Sequence, residues 1–158
     1  VVSRDISEYK TDLIRENLER MNRRNVEVQV YDATVHDPEK EKYADVVLMD
    51  VPCSGLGVMG KKRDIKYHAT PESLQSITEL QRQIVAAGWQ YVKPHGVLLY
   101  STCTIHRGEN QEMAVWITEN FPFVLEEERQ LLPGTDETDG FYYARLRRMD
   151  ACEAGQEL

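Results

Sequence analysis

The stretch VVLMDVPCSGLG, residues 46–57, places a run of apolar side chains directly before a small polar loop that contains Cys53. The same arrangement returns in LLYSTCTIH, residues 98–106, where the apolar run ends at Cys103. Short continuous apolar runs are typical of strands that are buried on both faces of a parallel sheet. The sequence therefore predicts two buried strands, each of which opens into a cysteine loop.

The rest of the chain alternates between strand patterns and helix patterns. Strands are predicted over residues 1–5, 26–31, 45–50, 97–101, 123–127 and 141–148, and helices over 7–24, 71–92 and 109–119. This alternation indicates an α/β domain with a mostly parallel sheet. The last two strands are predicted to close the sheet as an antiparallel hairpin.

Composition and charge exclude several classes of protein. A chain of 158 residues with 41% hydrophobic and 29% charged residues is ordinary for one globular domain. No apolar run approaches the roughly 20 residues that a membrane-spanning helix needs. The net charge of −8 argues against a free-standing nucleic-acid binder with a basic face, although a basic segment, KKRDIK at 61–66, follows the first cysteine loop.

The cysteine count points to a reducing compartment. Three cysteines are an odd and sparse set, which suits the cytoplasm better than a disulfide framework. No pair has CxxC spacing and the four histidines lie singly, so no metal site is predicted. Cys152 lies in a tail without periodicity and is interpreted as an incidental thiol.

Acidic residues end three of the predicted strands. Ligands of open α/β sheets bind outside the carboxyl ends of the strands, where Asp5, Asp32 and Asp50 are expected. Asp5 is placed to take ribose hydroxyls, Asp32 to lie beside an adenine ring, and Asp50 to face reacting groups. Most free cysteines are small buried hydrophobes, but Cys53 and Cys103 lie just past strand ends, where a thiol is accessible and can gain thiolate character.

The two cysteine motifs, DVPCSGLG at 50–57 and STCT at 101–104, resemble those of the Sun/Fmu (Nop/Sun) RNA cytosine-5 methyltransferases. Within that family the likeness is strongest to bacterial enzymes that methylate small-subunit ribosomal RNA. It extends along the chain through RDIKY at 63–67, LQRQI at 80–84, GENQ at 108–111 and DGFYYARL at 139–146. The resemblance implies a Rossmann-like, S-adenosylmethionine-dependent methyltransferase sheet, mostly parallel with an antiparallel last strand, and 16S ribosomal RNA as the substrate.

The resemblance also implies a role for each candidate residue. Cys103, in the TC motif, would form a covalent bond to the cytosine, and Cys53, in the PC motif, would assist release of the product. Asp50 would bond the edge of the base, and together with Asp5 and Asp32 it would line the site of S-adenosylmethionine.

The family's first strand and its glycine-rich loop would lie before residue 1. We therefore expect a partial catalytic domain over 1–148, followed by a disordered tail over 149–158. Without the first strand the chain is expected to bind S-adenosylmethionine weakly. Its unpaired sheet edges favour dimerisation or strand swapping.

Two alternatives stay open at this stage. A catalytically incompetent fragment that serves as a binding domain would share the fold but not the activity. A thiol hydrolase would pair Cys103 with His106, His95 or His68.

Overall fold

The computed structural model describes residues 1–150, so the predicted tail lies outside the described residues from 151 onward, and Cys152 with it. Within this range no helix has both the length and the apolar character needed to cross a membrane. The strands are β1 (Val2–Asp5), β2 (Glu27–Val30), β3 (Ala44–Asp50), β4 (Val92–Thr102), β5 (Phe123–Leu131) and β6 (Phe141–Arg148). The α-helices are α1 (Glu8–Arg20), α2 (Ile65–His68), α3 (Pro71–Gly88) and α4 (Gln111–Asn120).

The strands form two sheets that confirm the predicted α/β architecture. β1 and β2 pair in parallel as a small sheet, and the main sheet has the order β3-β4-β6-β5. β3 and β4 are parallel, with Leu48 opposite Leu99. β6 lies between β4 and β5 and is antiparallel to both, which confirms the antiparallel last strand.

The hydrophobic core lies between the main sheet and the helices α3 and α4. Leu98 and Tyr100 on β4 and Leu146 on β6 are fully buried there. They pack in one cluster with Val85 of α3 and Ile117 of α4. Burying side chains of this size is the main source of the domain's stability.

The opposite face of β3 is exposed, so the prediction that this strand is buried on both faces was wrong. Val46 and Leu48 are 60% and 63% exposed. Side chains alternate between the two faces of a strand, and only Met49, on the other face, is buried. No helix within residues 1–150 covers the side chains of Val46 and Leu48.

The small sheet is attached to the rest of the domain through Arg4 of β1. Its guanidinium pairs with Asp37 and lies 4.1 Å from the ring centroid of Tyr31 and 5.9 Å from that of Tyr91. The hydroxyl of Tyr91 in turn accepts a hydrogen bond from the amide N–H of Asp37 at 2.8 Å. Because Tyr91 follows α3, these contacts hold β1 and β2 against the end of that helix.

Four predicted boundaries differ from the structure by four or five residues, and one of them is the end of β5, which lies at Leu131 and not at residue 127. α1 stops at Arg20 because Asn22 takes a left-handed conformation with φ of 50°. α3 stops at Gly88, and β4 already begins at Val92. The added part of β4 contains an irregularity, where His95 has φ of 61° and the register with β3 shifts.

Candidate active site at the strand ends

The structure brings the two predicted cysteines together. The sulfur atoms of Cys53 and Cys103 lie 3.2 Å apart, and both side chains are half-buried. This proximity follows from the sheet, because β3 and β4 are parallel neighbours and pair Asp50 with Ser101 at their carboxyl ends. Each cysteine follows its strand end within a few residues, so both loops open at the same edge of the sheet.

Burial and a neighbouring sulfur affect the ionisation of Cys53. Burial raises the pKa of the Cys53 thiol well above its ordinary value, and the hydrogen bond with Cys103 raises this pKa further. Cys53 therefore stays protonated at neutral pH and can donate its S–H to the Cys103 sulfur. A protonated Cys53 can thus act as a hydrogen-bond donor to a thiolate beside it, and the thiolate is the form of a thiol that acts as a nucleophile.

Backbone hydrogen bonds join the two cysteine loops to the loop before β6. The amide N–H of Gly57 donates to the carbonyl oxygen of Cys103 at 3.1 Å. The amide N–H of Gly140 donates to the carbonyl oxygen of Gly57 at 2.8 Å. A hydroxyl pair, Ser54 and Thr104, adds a side-chain contact of 2.7 Å between the cysteine loops. The separation of the sulfur atoms is therefore fixed by main-chain and side-chain bonds on either side of them.

Beneath the Cys53 loop lies a buried polar pair, Gln81 and Glu109, that was not among the predicted site residues. The carboxylate of Glu109 accepts hydrogen bonds from the amide N–H of Ser54 at 2.9 Å and from the side-chain amide of Gln81 at 3.0 Å. The same Gln81 amide donates to the carbonyl oxygen of Pro52 at 2.9 Å. Both Gln81 and Glu109 are fully buried.

A second polar pair lies beneath the Cys103 loop. The side chain of Asn110, also fully buried, accepts a hydrogen bond from the Thr102 hydroxyl at 2.7 Å and donates to the carbonyl oxygen of Thr104 at 3.0 Å. Its amide also donates to the side chain of Gln130 at 2.7 Å, and Gln130 donates to the same Thr104 carbonyl at 3.2 Å.

One signal in the sequence could have revealed the first pair. Gln81 occupies a position on the apolar stripe of α3, between Ile77 and Ile84, where a polar residue has to find a buried partner. Glu109 and Asn110 lie within GENQ, residues 108–111, one of the segments that carry the family resemblance, but no local pattern marks them or Gln130 as buried polar residues. The partners of Glu109, which are Ser54 and Gln81, lie on distant segments of the chain.

The three predicted acids all lie at strand ends, and each accepts at least one hydrogen bond from a nearby group. Asp5 accepts a hydrogen bond from the amide N–H of Ser7 at 2.8 Å. Hydrogen bonds from the hydroxyl and the backbone N–H of Thr34 lower the pKa of Asp32, so this carboxylate stays ionised. Asp50 is exposed and accepts a hydrogen bond from the Ser101 hydroxyl at 3.2 Å.

The geometry gives no support to the thiol hydrolase. The Nδ1 atom of His106 lies 3.4 Å from the carboxylate of Glu109, and within residues 1–150 neither Cys53 nor Cys103 is hydrogen-bonded to a histidine. The described part of the chain also contains no group of three or more metal-binding side chains close enough to hold an ion.

The basic segment 61–66 lies directly beyond the Cys53 loop. Lys62, Arg63 and Lys66 are exposed, whereas Lys61 forms an ion pair of 2.5 Å with Asp139. The segment that follows the Cys53 loop thus presents the positive charges of these three side chains to solvent.

Solved structures show the same fold. The crystal structure of PH0851 is 29% identical and superimposes with a TM-score of 0.87 over 93% of this chain and 36% of its own. NSun6 from Pyrococcus horikoshii with SFG is 25% identical, with a TM-score of 0.81 over 94% of this chain and 41% of that one. These similarities support the predicted Rossmann-like methyltransferase fold.

Sequence comparison leads to the same family as the cysteine motifs. The Ribosomal RNA small subunit methyltransferase F of Escherichia fergusonii is 31% identical over 98% of this chain, which spans 36% of that protein's length. The family model described as 16S rRNA methyltransferase RsmB/F matches residues 1–147, which confirms the Sun/Fmu resemblance. The chain belongs to the 16S rRNA methyltransferase RsmB/F family.

Proposed function

We propose that this protein methylates carbon 5 of a cytosine in RNA, with 16S ribosomal RNA as the substrate and S-adenosylmethionine as the methyl donor. The observation that carries the proposal is the separation of 3.2 Å between the Cys53 and Cys103 sulfur atoms at the ends of neighbouring parallel strands. Membership of the RsmB/F family supports the reaction class, and the chain spans about a third of the length of its curated relatives, 36% for one of them.

Cys103 is the proposed nucleophile. Carbon 5 of cytosine is too electron-poor to attack a methyl sulfonium, so its neighbour must first be modified. The Cys103 thiolate attacks carbon 6, and the electrons of the C5–C6 double bond move to carbon 5, which becomes nucleophilic. Bound S-adenosylmethionine supplies the electrophilic methyl group that carbon 5 attacks.

Cys53 is the proposed group for release. After methylation, a solvent water molecule takes the proton from carbon 5, the electron pair of that C–H bond re-forms the C5–C6 double bond, and the Cys103 sulfur leaves as a thiolate. Cys53 lies next to that sulfur and stays protonated, so it can donate a hydrogen bond to the departing thiolate. The pair therefore divides the work between bond formation and bond cleavage.

The acids at the strand ends fit the methyl donor. Carboxylates at the carboxyl ends of parallel strands accept hydrogen bonds from ribose hydroxyls, which suits Asp5, with Asp32 beside the adenine ring. NSun6, a structural neighbour at 25% identity, was solved with SFG, an analogue of S-adenosylmethionine. Asp50 is assigned to the edge of the cytosine, since it lies on the same strand end as the Cys53 loop.

RNA would approach along the basic segment. The target cytosine has to leave its stack to reach the sulfur pair. Lys62, Arg63 and Lys66 are exposed on the sequence that follows the Cys53 loop, where they can neutralise backbone phosphates.

The test is the fate of the covalent bond between the enzyme and small-subunit ribosomal RNA. In the protein at its natural length, Cys103→Ala should abolish methylation and adduct formation. Cys53→Ala should methylate poorly and retain RNA as a band of lower mobility on a denaturing gel.

The control is Cys152→Ala, which should methylate at the unaltered rate. If the Cys53→Ala protein formed no shifted band, the division of labour would be refuted. A catalytically incompetent binding domain would instead retain RNA in native gels and yield neither 5-methylcytosine nor an adduct in any variant.

A further inference from the structure

We propose that the two buried polar pairs are positioning residues with separate tasks, one for each cysteine. Gln81 and Glu109 hold the backbone around Cys53, while Asn110 and Gln130 hold the backbone around Cys103. This inference rests on the proposed function and adds residues to it that act through the thiols.

The first pair forms hydrogen bonds to the residues on both sides of Cys53. The Gln81 amide donates to the carbonyl oxygen of Pro52 at 2.9 Å, and the Glu109 carboxylate accepts from the amide N–H of Ser54 at 2.9 Å. The residues immediately before and after Cys53 are thus both held. A further bond of 3.0 Å between Gln81 and Glu109 closes the arrangement.

The second pair does the same for Cys103. Asn110 accepts from the Thr102 hydroxyl at 2.7 Å and donates to the Thr104 carbonyl at 3.0 Å, so the residues on both sides of Cys103 are held. Gln130 donates to the same carbonyl at 3.2 Å and to the carbonyl oxygen of Phe141 at 3.1 Å. This second pair therefore also joins the Cys103 loop to β6.

The burial of these side chains shows that their bonds matter. A buried polar group is costly unless it is hydrogen-bonded, and a buried carboxylate is costlier still. Gln81, Glu109 and Asn110 are all fully buried, and each makes at least one hydrogen bond to a residue next to a cysteine. Through these bonds, each pair of polar residues fixes the orientation of one of the two thiols.

If each pair positions its own cysteine, substitutions at the adjacent residues Glu109 and Asn110 should affect different steps of the reaction. Loosening the Cys53 pair should spare attack by Cys103 but slow release, as the loss of Cys53 itself is expected to do. Loosening the Cys103 pair should slow the attack, so that less adduct forms. A residue that merely stabilises the domain would lower both steps together.

The experiment separates attack from release in the protein at its natural length. RNA that carries 5-fluorocytidine reports attack together with methyl transfer. Once carbon 5 is methylated it holds fluorine, which cannot leave as the proton does, so that adduct persists. Natural small-subunit ribosomal RNA reports release through the fraction of adduct that remains. Gln81→Ala and Glu109→Ala should trap 5-fluorocytidine RNA at the unaltered rate and raise the persistent adduct on natural RNA about tenfold.

The opposite result is expected for the other pair. Asn110→Ala and Gln130→Ala should slow trapping of 5-fluorocytidine RNA about tenfold, with binding of S-adenosylmethionine unchanged. Glu109→Gln, which keeps an acceptor oxygen for the Ser54 amide, should restore release. The matched controls are the exposed neighbours Gln83→Ala and Glu112→Ala.

A second measurement does not depend on the proposed function. In the absence of RNA, Gln81→Ala should change the rate at which iodoacetamide alkylates Cys53 and leave the rate at Cys103 unaltered. Asn110→Ala should change the rate at Cys103 and leave the rate at Cys53 unaltered. If the Cys53→Ala protein failed to retain RNA, the proposed roles of the two cysteines would be refuted. The labelling pattern would still show whether each polar pair positions its own cysteine.

Two outcomes overturn the inference. One is a shared phenotype, in which all four alanine variants slow trapping or alter both cysteines alike. The other is a Glu109→Ala protein that loses trapping and cofactor binding together, because Glu109 would then support the domain as a whole.

Discussion

The amide N–H of Gly140 donates to the carbonyl oxygen of Gly57 at 2.8 Å, and this contact leaves no space for a side chain at either glycine. A Cβ atom on Gly57 would lie 2.2 Å from the Gly140 carbonyl oxygen and 2.8 Å from that of Cys103. The two backbones can approach this closely only because both residues are glycine. The contact thereby ties the loop before β6 to both cysteine loops.

Gly57→Ala should therefore impair both stability and catalysis. The obstructing atoms are backbone, so the loops must separate, at a cost of about 1–3 kcal/mol in the free energy of unfolding. Methylation should fall by more than about tenfold, since the sulfur atoms move apart. Gly60→Ala, where nothing lies within 4 Å, is the control. Urea denaturation and a methylation assay measure the two effects, and equal behaviour of both variants would contradict the prediction.

Asp5→Asn should weaken binding of S-adenosylmethionine. The amide keeps an acceptor for the Ser7 N–H, so the local turn should persist, whereas the charge-assisted bonds to ribose hydroxyls are lost. The dissociation constant is expected to rise about tenfold at natural length. Asp12→Asn, an exposed acid on α1, should leave the affinity unchanged. Calorimetry that found the same affinity for both variants would remove Asp5 from the cofactor site.

The 158-residue chain by itself should bind S-adenosylmethionine weakly and self-associate. Asp5 lies on the small sheet and Asp50 on the main sheet, and no strand within residues 1–150 joins the two. Titration calorimetry and sedimentation velocity measure the two properties. Leu48→Lys should reduce association, because it places a charge on the exposed face of β3. Tight cofactor binding by this chain would contradict the expectation.

Alkylation of Cys53 should be slow at neutral pH and should accelerate only in alkaline solution. The thiolate is the reactive form, and burial, the main cause of the raised pKa, persists in a Cys103→Ala variant. The labelling rate should therefore keep rising above about pH 9, where an ordinary thiol is already ionised. The same variant unfolded in urea is the control. Identical pH profiles in the two states would show that the fold leaves this thiol unperturbed.

The convergence of the cysteines could be predicted from the sequence. Apolar runs predict β3 and β4 as strands of a mostly parallel sheet, and parallel strands carry their following loops to one edge of the sheet. The loops that contain Cys53 and Cys103 therefore had to meet. The capping residues Ser7 and Thr70 were predictable for a similar reason, since their hydroxyls satisfy the first free amides of α1 and α3.

The remaining features depend on contacts that no local pattern encodes. Val46 and Leu48 belong to an apolar run, but their exposure depends on whether another element covers them. The irregular start of β4 depends on its pairing with β3. Glu109 is charged and sits in a polar segment, which predicts an exposed residue, yet it is buried because Gln81 and Ser54 supply its partners.

The order of strands in the main sheet sets a condition on biosynthesis. β5 is made before β6, yet β6 separates it from β4, so β5 has no sheet neighbour until residues 141–148 have left the ribosome. Gly140, whose amide N–H is bonded to Gly57 of the Cys53 loop, directly precedes that last strand. A nascent chain stalled before this point would hold both thiols in an unfinished arrangement, so the chemistry becomes available only near the end of translation of this region.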